Sequence, residues 1–260
     1  MTDPATAPAP LPARLCVVVG ATGAMGSVIT ERLVARGLRV VAVGRDADAL
    51  EKLVQGRTES IVACPADIAD DEAIETIRAA VDEPVLLALF AAGLPVRGSA
   101  DTIEPGLLGT AANIKVAGPV RLLRAVREHL VDGSRFVAIA GSLGLEPGPL
   151  DAGPGTANAA LLNLMHQISA LYGPKGVAAI TVAPGPIDTP RLREFARVQS
   201  AETGTPIEQI WKGFVDKTSL GRLPTLPEIA WLIETLLAPE AAILHGGVIN
   251  ADTGTRHAVH

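Results

Sequence analysis

Apolar residues in this chain follow two rhythms that alternate from one end to the other. Short unbroken runs suit strands buried on both faces, and Leu15-Cys16-Val17-Val18-Val19 is the first of them. Between the runs, apolar residues recur three or four positions apart, as at Ile29, Leu33 and Val34, which Gly37 closes off as a helix. Further strands are predicted at Arg39–Val43, Ser60–Ala63, Pro84–Ala92, Arg135–Ala140 and Val177–Val182. Helices are predicted at Asp46–Gln55, Asp70–Val81, about Pro105–Leu130 and Thr156–Tyr172. This alternation implies an α/β fold, a single doubly wound parallel sheet with helices on both faces. Ligands on such sheets bind at the carboxyl ends of the strands, near the reversal in strand order. The residues just after each strand are therefore the place to look for chemistry.

The first such place is Val19 to Thr30, V-G-A-T-G-A-M-G-S-V-I-T. Gly20, Gly23 and Gly26 permit a tight turn between strand and helix and let backbone N–H groups approach a phosphate at the helix start. Gly20, Thr22, Gly23, Ala24, Met25 and Gly26 together form a candidate seat for the pyrophosphate of a dinucleotide.

Composition narrows the setting. With 260 residues and 48% hydrophobic content the chain can bury one large core. Its longest apolar run, Val85 to Ala92, is too short to span a bilayer. Residues 1–13 are rich in Pro and Ala, lack the charged and apolar regions of a signal peptide, and are expected to be a disordered tail of a cytoplasmic protein. The folded domain is expected over residues 14–256. A net charge of −6 and the lack of any Lys/Arg cluster argue against nucleic-acid or membrane partners. Cys16 and Cys64 lie in apolar segments without C-x-x-C spacing and read as buried, inert thiols. His129, His166, His245, His257 and His260 have no partners at metal-ligand spacing, so no metal is expected.

Several blocks after the predicted strands add up to a family resemblance. Asp67-Ile68 follows the third strand, and Phe90-Ala91-Ala92-Gly93 ends the fourth. Asn113-Ile114-Lys115-Val116-Ala117-Gly118-Pro119 falls within the long helix. Ala183-Pro184-Gly185-Pro186-Ile187-Asp188-Thr189 follows the sixth strand, Gly221-Arg222-Leu223-Pro224 precedes Pro227-Glu228-Ile229-Ala230, and His245 to Asp252 resembles a closing strand. In this order, over about Arg14 to Gly254, they resemble the short-chain dehydrogenase/reductase family. The resemblance implies a Rossmann-like sheet of about seven strands. It also implies cofactor contacts from Asp67, Ile68, Ala91, Ala92, Gly93, Pro184, Gly185, Ile187 and Thr189, with Thr189 at the nicotinamide carboxamide. The glycine turn departs from the common pattern, with Val19 in place of a Thr and Ala24 in place of the middle Gly. Ala is tolerated there if φ stays negative.

At the end of the second strand an acidic residue would accept the ribose 2′-OH of NAD(H). Gly44 stands there instead, followed by Arg45, whose guanidinium can pair with a 2′-phosphate. NADP(H) is therefore expected rather than NAD(H), and Asp46 is expected to cap the next helix.

The family's reductases use a Ser after the fifth strand and a Tyr-x-x-x-Lys on the following helix. Ser142 matches the Ser, and Asn113 is assigned by resemblance to the active-site Asn. The alignment puts Pro154 where the Tyr belongs and Asn158 where the Lys belongs, Asn158 remaining able to bond the ribose hydroxyls. The only tyrosine, Tyr172, comes too late and is read as structural. A phenol with pKa near ~10 needs a cationic neighbour to act at neutral pH, and here the pair is missing.

Two readings stay open. In the first the chain is an NADPH-dependent ketoreductase acting on a polyphenolic or aromatic polyketide ketone, the proton coming from substrate or water. It then resembles the tyrosine-less ketoreductases of antibiotic biosynthesis, including angucyclinone pathways such as that of simocyclinone. In the second it is an inert subunit or an NADP-sensing binding protein on the same fold. Retention of Ser142, Asn113 and Thr189 favours the enzyme.

Residues 188–217 are expected to form a lid. Aromatic residues make up only 3% of the chain, so Phe195, Trp211 and Phe214 together in this insert suggest contact with a large flat substrate. Small and apolar positions on the helix after the fifth strand, Ala157, Ala160, Leu161, Leu164 and Ile168, suit either a core face or the homodimer or homotetramer that the family commonly forms.

Overall fold

The computed structural model describes residues 15–94, 96 and 98–255. The expected tail at 1–13, the domain limits at 14 and 256, and His257 and His260 lie outside them. Seven strands form one parallel sheet: β1 (Leu15–Val19), β2 (Arg39–Gly44), β3 (Ile61–Pro65), β4 (Val85–Phe90), β5 (Leu130–Ile139), β6 (Ala178–Pro184) and β7 (Val248–Ala251). Their order is β3-β2-β1-β4-β5-β6-β7. The order reverses between β1 and β4, so the crevice at their carboxyl ends is the expected ligand site.

Strands β1, β4 and β6 are buried along their whole length, which is why their sequences are continuously apolar rather than alternating. One face is covered by α1 (Ala24–Ala35), α2 (Ala47–Val54) and α9 (Leu226–Thr235), through Ile29, Leu33, Leu50, Leu53, Ile229 and Ile233. The other face is covered by α3 (Ala73–Ala79), α5 (Gly118–Val126) and α6 (Ala152–Tyr172), through Ile77, Leu122, Val126, Leu161, Met165 and Ile168. Ala157, Leu161 and Ile168 are thus core residues, while Ala160 is exposed. Helix α4 (Pro105–Ala112) runs into α5 through a π-helical turn, Asn113–Ala117. Helices α7 (Pro190–Thr203) and α8 (Ile207–Val215) fill the segment that breaks the alternation.

Boundaries differ from the pattern in two informative places. The long helix stops at Val126, and β5 begins at Leu130, five residues early, because Ser134 Oγ accepts from Val131 N and donates to Val85 O. Side-chain chemistry there replaces the regular ladder that hydropathy predicts. Helix α6 begins at Ala152, four residues before Thr156, with Pro154 in its first turn, where its missing N–H would have had no partner.

Asp46 caps α2, its Oδ1 accepting from Ala49 N at 3.0 Å. Both cysteines are buried, and burial pushes Cys16 up to about 12 and Cys64 to about 11, which keeps them unreactive thiols. Glu234 on α9 receives Arg32 and Arg36 of α1.

A less expected tie is Arg135 in β5. Its buried guanidinium donates to Leu236 O and Ala238 O, just past the C-terminal end of α9, and to Gly133 O of its own strand, each at 2.9 Å. Arg135→Met would leave Leu236 O without the guanidinium and cut the tie from β5 to the end of α9, and is expected to cost about 3 kcal/mol. The shift in the urea unfolding midpoint measures it, and an unchanged midpoint would deny the tie.

Candidate functional site

The glycine turn packs two backbone segments together. Gly20 has φ +84°, and a Cβ on it would come 2.9 Å from the Ala91 carbonyl carbon. A Cβ on Gly26 would come 2.0 Å from Gly20 O. No side chain fits either place, so the turn must be glycine for β1, α1 and the end of β4 to meet. Gly23 is the N-cap of α1 and offers no side-chain acceptor, and the first turn of α1 contains no acid. The first-turn N–H groups are thereby left for an anion. Ala24 is the first residue of that helix, and Thr253 is the only non-glycine with positive φ among the described residues, so Ala is tolerated as anticipated.

The predicted residues gather around this turn. Ala91 N donates to Val19 O at 2.9 Å, which sets Ala91, Ala92 and Gly93 beside Gly20. Thr22 lies against Gly44 at the end of β2, where a Cβ would meet its Oγ1 at 3.2 Å. Arg45 projects into solvent with its Nη1 3.8 Å from Asp67 Oδ2, while Asp67 Oδ1 accepts from Ala69 N. Ile68 turns inward to the core, and its carbonyl takes Arg121 Nη1 at 3.1 Å. Across the sheet, Pro184 ends β6, Gly185 packs on Asp252, and Ile187 is buried. Thr189 caps α7 by accepting from Leu192 N at 3.2 Å, which leaves its own hydroxyl proton to donate.

At the end of β5, Ser142 is 7% exposed and opens a short 3-10 turn, Ser142–Gly144. Its Oγ has no hydrogen-bond partner among the described residues. Asn158 lies against the preceding residue: a Cβ on Gly141 would touch Asn158 Nδ2 at 3.1 Å. Asn158 is 6% exposed, and its Oδ1 is buried with no donor. A buried acceptor without a donor is costly unless a ligand supplies one. Pro154 sits one turn earlier on the same side of α6. Tyr172 is buried at the far end of α6, its ring 4.5 Å from Lys175 Nζ, and takes no part in the site. His166 is exposed, and His245 Nδ1 accepts from Ala179 N at 3.1 Å as a structural link.

Asn113 holds a backbone carbonyl, one of the two partners expected for it, the other being a water. Its Nδ2 donates to Ala69 O at 2.9 Å and its Oδ1 accepts Arg121 Nη2 at 2.9 Å, so the amide is spent tying the π turn to the segment after β3. The residue that reaches the site is Lys115, two positions on. It is 95% buried by its 5% exposure, and its Nζ donates to Ile139 O, the last residue of β5, at 3.0 Å. The Phe90 ring centroid lies 5.8 Å from Nζ. The sequence carried a signal for this: Ala111, Lys115, Gly118 and Leu122 share a buried helical face, and a lysine there is anomalous. Arg191, also missed, leads from α7 back to β4, where a Cβ on Gly93 would come 3.1 Å from its Nη1.

In the segment 188–217, the Phe195 and Phe214 rings are 6.1 Å apart, and Trp211 meets Phe214 edge-on at 6.2 Å. Arg193 stacks over Trp211 at 5.5 Å. Trp211, Arg193, Ile207 and Val215 line a cavity of about 510 Å³. The three aromatics do form one cluster, but part of its surface is spent on mutual packing. No group of three His, Cys, Asp or Glu among the described residues is arranged to hold a metal. None of their helices is long and apolar enough to cross a membrane.

A family model described as enoyl-(acyl carrier protein) reductase matches residues 20–256. The chain belongs to the short-chain dehydrogenase/reductase superfamily. It is 27% identical over 256 residues to 2-keto-3-deoxy-L-fuconate dehydrogenase of Xanthomonas campestris pv. campestris, covering 96% of this chain and 83% of that protein. An uncharacterised short-chain type dehydrogenase/reductase of Sinorhizobium fredii is 23% identical over 94% of this chain, which spans only 44% of that longer protein. In fold it matches L-sorbose reductase of Gluconobacter frateurii, solved with NADPH and L-sorbose, at a TM-score of 0.87. That likeness has 17% identity, over 96% of this chain and 98% of the other. Superfamily members are oxidoreductases, and the sheet of this one has the strand order and crevice described above.

Burial, and next the charge of Arg191, lower Lys115 from 10.5 to about 8. Its native value lies below its unfolded one, so the unfolded chain binds more protons between pH 8 and 10.5 and stability rises with pH across that window. Below pH 8 the buried charge opposes folding by about 3 kcal/mol. Lys115→Met removes this dependence. Its stability advantage over wild type in urea melts is expected to be largest at pH 7 and to shrink by about that amount at pH 10.5. A pH-independent difference would contradict it.

Proposed function

We propose that the protein is an NADPH-dependent ketoreductase of aromatic, phenol-bearing ketones that works without a protein phenol. What supports this reading is a pairing: a glycine turn and uncapped α1 N-terminus suited to a dinucleotide, beside a strand end where, by the resemblance, Pro154 and Asn158 take the Tyr and Lys positions. The residues fit a dinucleotide on structural grounds, since Gly20 and Gly26 leave no room for side chains, the α1 N-terminus is uncapped, and Asn158 Oδ1 awaits a donor.

When bound, a reduced nicotinamide dinucleotide supplies the hydride. The α1 N-terminus and the turn from Gly20 to Gly26 would hold the phosphates, Arg45 the 2′-phosphate and Asp67 the adenine side. Ala91, Ala92, Gly93, Pro184, Gly185 and Ile187 would line the cleft, with Thr189 donating to the carboxamide. Asn158 would accept from a ribose hydroxyl. Ser142 would donate to the substrate carbonyl, and the cluster of Phe195, Trp211 and Phe214 would close over its ring system as a lid. Holding the reacting atoms in one orientation is itself worth several kcal/mol of barrier. After hydride addition the alkoxide takes its proton from an adjacent phenol of the substrate, and the phenolate regains one from water. Bound NADPH in L-sorbose reductase, which shares the fold, agrees with the choice of cofactor.

The absent phenol equally favours a non-catalytic NADP-binding subunit, and turnover separates the two. Purified protein is expected to oxidise NADPH with 8-hydroxy-1-tetralone and to act at least about tenfold more slowly on 8-methoxy-1-tetralone, a barrier difference of about 1.4 kcal/mol. Equal rates would remove the substrate's phenol from the mechanism. Binding of NADPH without turnover of any phenolic ketone would sink the reductase and favour the subunit.

A further inference from the structure

Resting on the ketoreductase reading, we infer that Lys115, with Arg191 beside it, is the oxyanion-stabilising cation of the site. Its ammonium meets the negative charge that hydride addition leaves on the substrate oxygen.

The charge inventory leads there. Lys115 is almost wholly buried, yet among the described residues its one hydrogen bond is to Ile139 O and no ion pair involves it. An ammonium has three N–H groups, so two are left without acceptors among the described residues. The charged side chain that acts on it is Arg191 of α7, a like charge. The neighbouring strands offer the Phe90 ring from β4 and a single carbonyl from β5. Arg191 also has no ion pair among the described residues, and its Nη1 lies against Gly93 at the end of β4. Buried Lys115 and exposed Arg191 stand at the carboxyl ends of adjacent strands with no carboxylate paired to either among the described residues, and the counter-ion of such a site comes from outside. Removing one partner from a buried pair leaves an uncompensated charge that folding does not tolerate cheaply. Here the structure begins in that condition, which is reasonable where an anion arrives with the reaction.

The position suits the chemistry. Ile139 precedes Ser142 by three residues, and Gly141 between them touches Asn158, so the ammonium is anchored at the same strand end as the Ser142 hydroxyl. In a reductase with a phenolic acid the oxyanion is quenched as it forms. Here the substrate keeps a negative charge throughout, first as alkoxide and then as phenolate. A fixed cation in a dry site stabilises both without changing the proton balance. The inference also sharpens the substrate class: ketones with an adjacent acidic hydroxyl, which delocalise or relay that charge, over simple aliphatic ketones.

Two measurements test it. In the first, Lys115→Met should lower kcat on 8-hydroxy-1-tetralone by a factor of at least about 100, as loss of an oxyanion donor does. Its Kd for NADPH should stay within about twofold, with no loss of Tm, and Lys115→Arg should recover part of kcat. A Tm that falls together with kcat, or kcat unchanged in the Met variant, overturns the inference. In the second, wild-type protein labelled with 13C at lysine Cε gives five lysine signals to follow. Adding 4-nitrophenol, largely ionised near pH 8, in the presence of NADP⁺ should raise the titration midpoint of the Lys115 signal at least tenfold in proton affinity. A Lys115 signal that ignores the phenolate overturns the inference even if the wild type turns over ketones. Absence of turnover in the wild type sinks the underlying reductase reading by itself, and a responsive Lys115 would then still support the anion seat.

Discussion

Everything at the carboxyl end of this sheet depends on one backbone approach. The turn after β1 folds so tightly that Gly26 presses on Gly20 O, while Gly20 presses on the Ala91 backbone at the end of β4. A side chain at either glycine would push α1 off β1 or β1 away from the turn after β4. With glycine in place, the N-terminus of α1 points across the gap where the strand order reverses. The same packing fixes Thr22 against Gly44 and, through it, the place of Arg45. Local strain is small, because positive φ falls on glycine at this turn.

Charge is distributed unevenly around that frame. The molecule is acidic overall, but the crevice is not. Lys115 and Arg191 enter it without carboxylate partners, and the uncapped helix end adds a partial positive charge. The positive character of the crevice thus comes from few groups, of which Lys115 is buried and counts for most while Arg191 is exposed. On the proposed reading, loss of a tyrosine does not leave such a site inert. It changes which charge must be tolerated during reaction, from a transient one that the protein neutralises to a lasting one that it must hold.

Much of the architecture was legible in the sequence because buried parallel strands announce themselves. Val85 to Phe90 and Leu15 to Val19 are apolar at every position, and the structure buries every one. Ends were harder to read where side chains rather than hydropathy set them, as Ser134 does at the start of β5 and Pro154 does in the first turn of α6. In the site, residues fixed by backbone demands were readable, glycines above all. Lys115 was overlooked because the motif that pointed to Asn113 also contains it, and the π turn ties the Asn113 amide to Ala69 O while it sends the Lys115 ammonium to Ile139 O. Arg191 could not be found by local pattern at all, since its meeting with Gly93 joins residues about a hundred positions apart.

The claim on which the rest stands is that this crevice is a working seat for a 2′-phosphorylated dinucleotide, independent of any catalytic tyrosine. Titration calorimetry of the purified wild-type protein with NADPH and then NADH tests it most directly. One site per chain, with NADPH at least about tenfold tighter than NADH, or about 1.4 kcal/mol, is the predicted result. No binding of either nucleotide, or equal affinity for both, would contradict it.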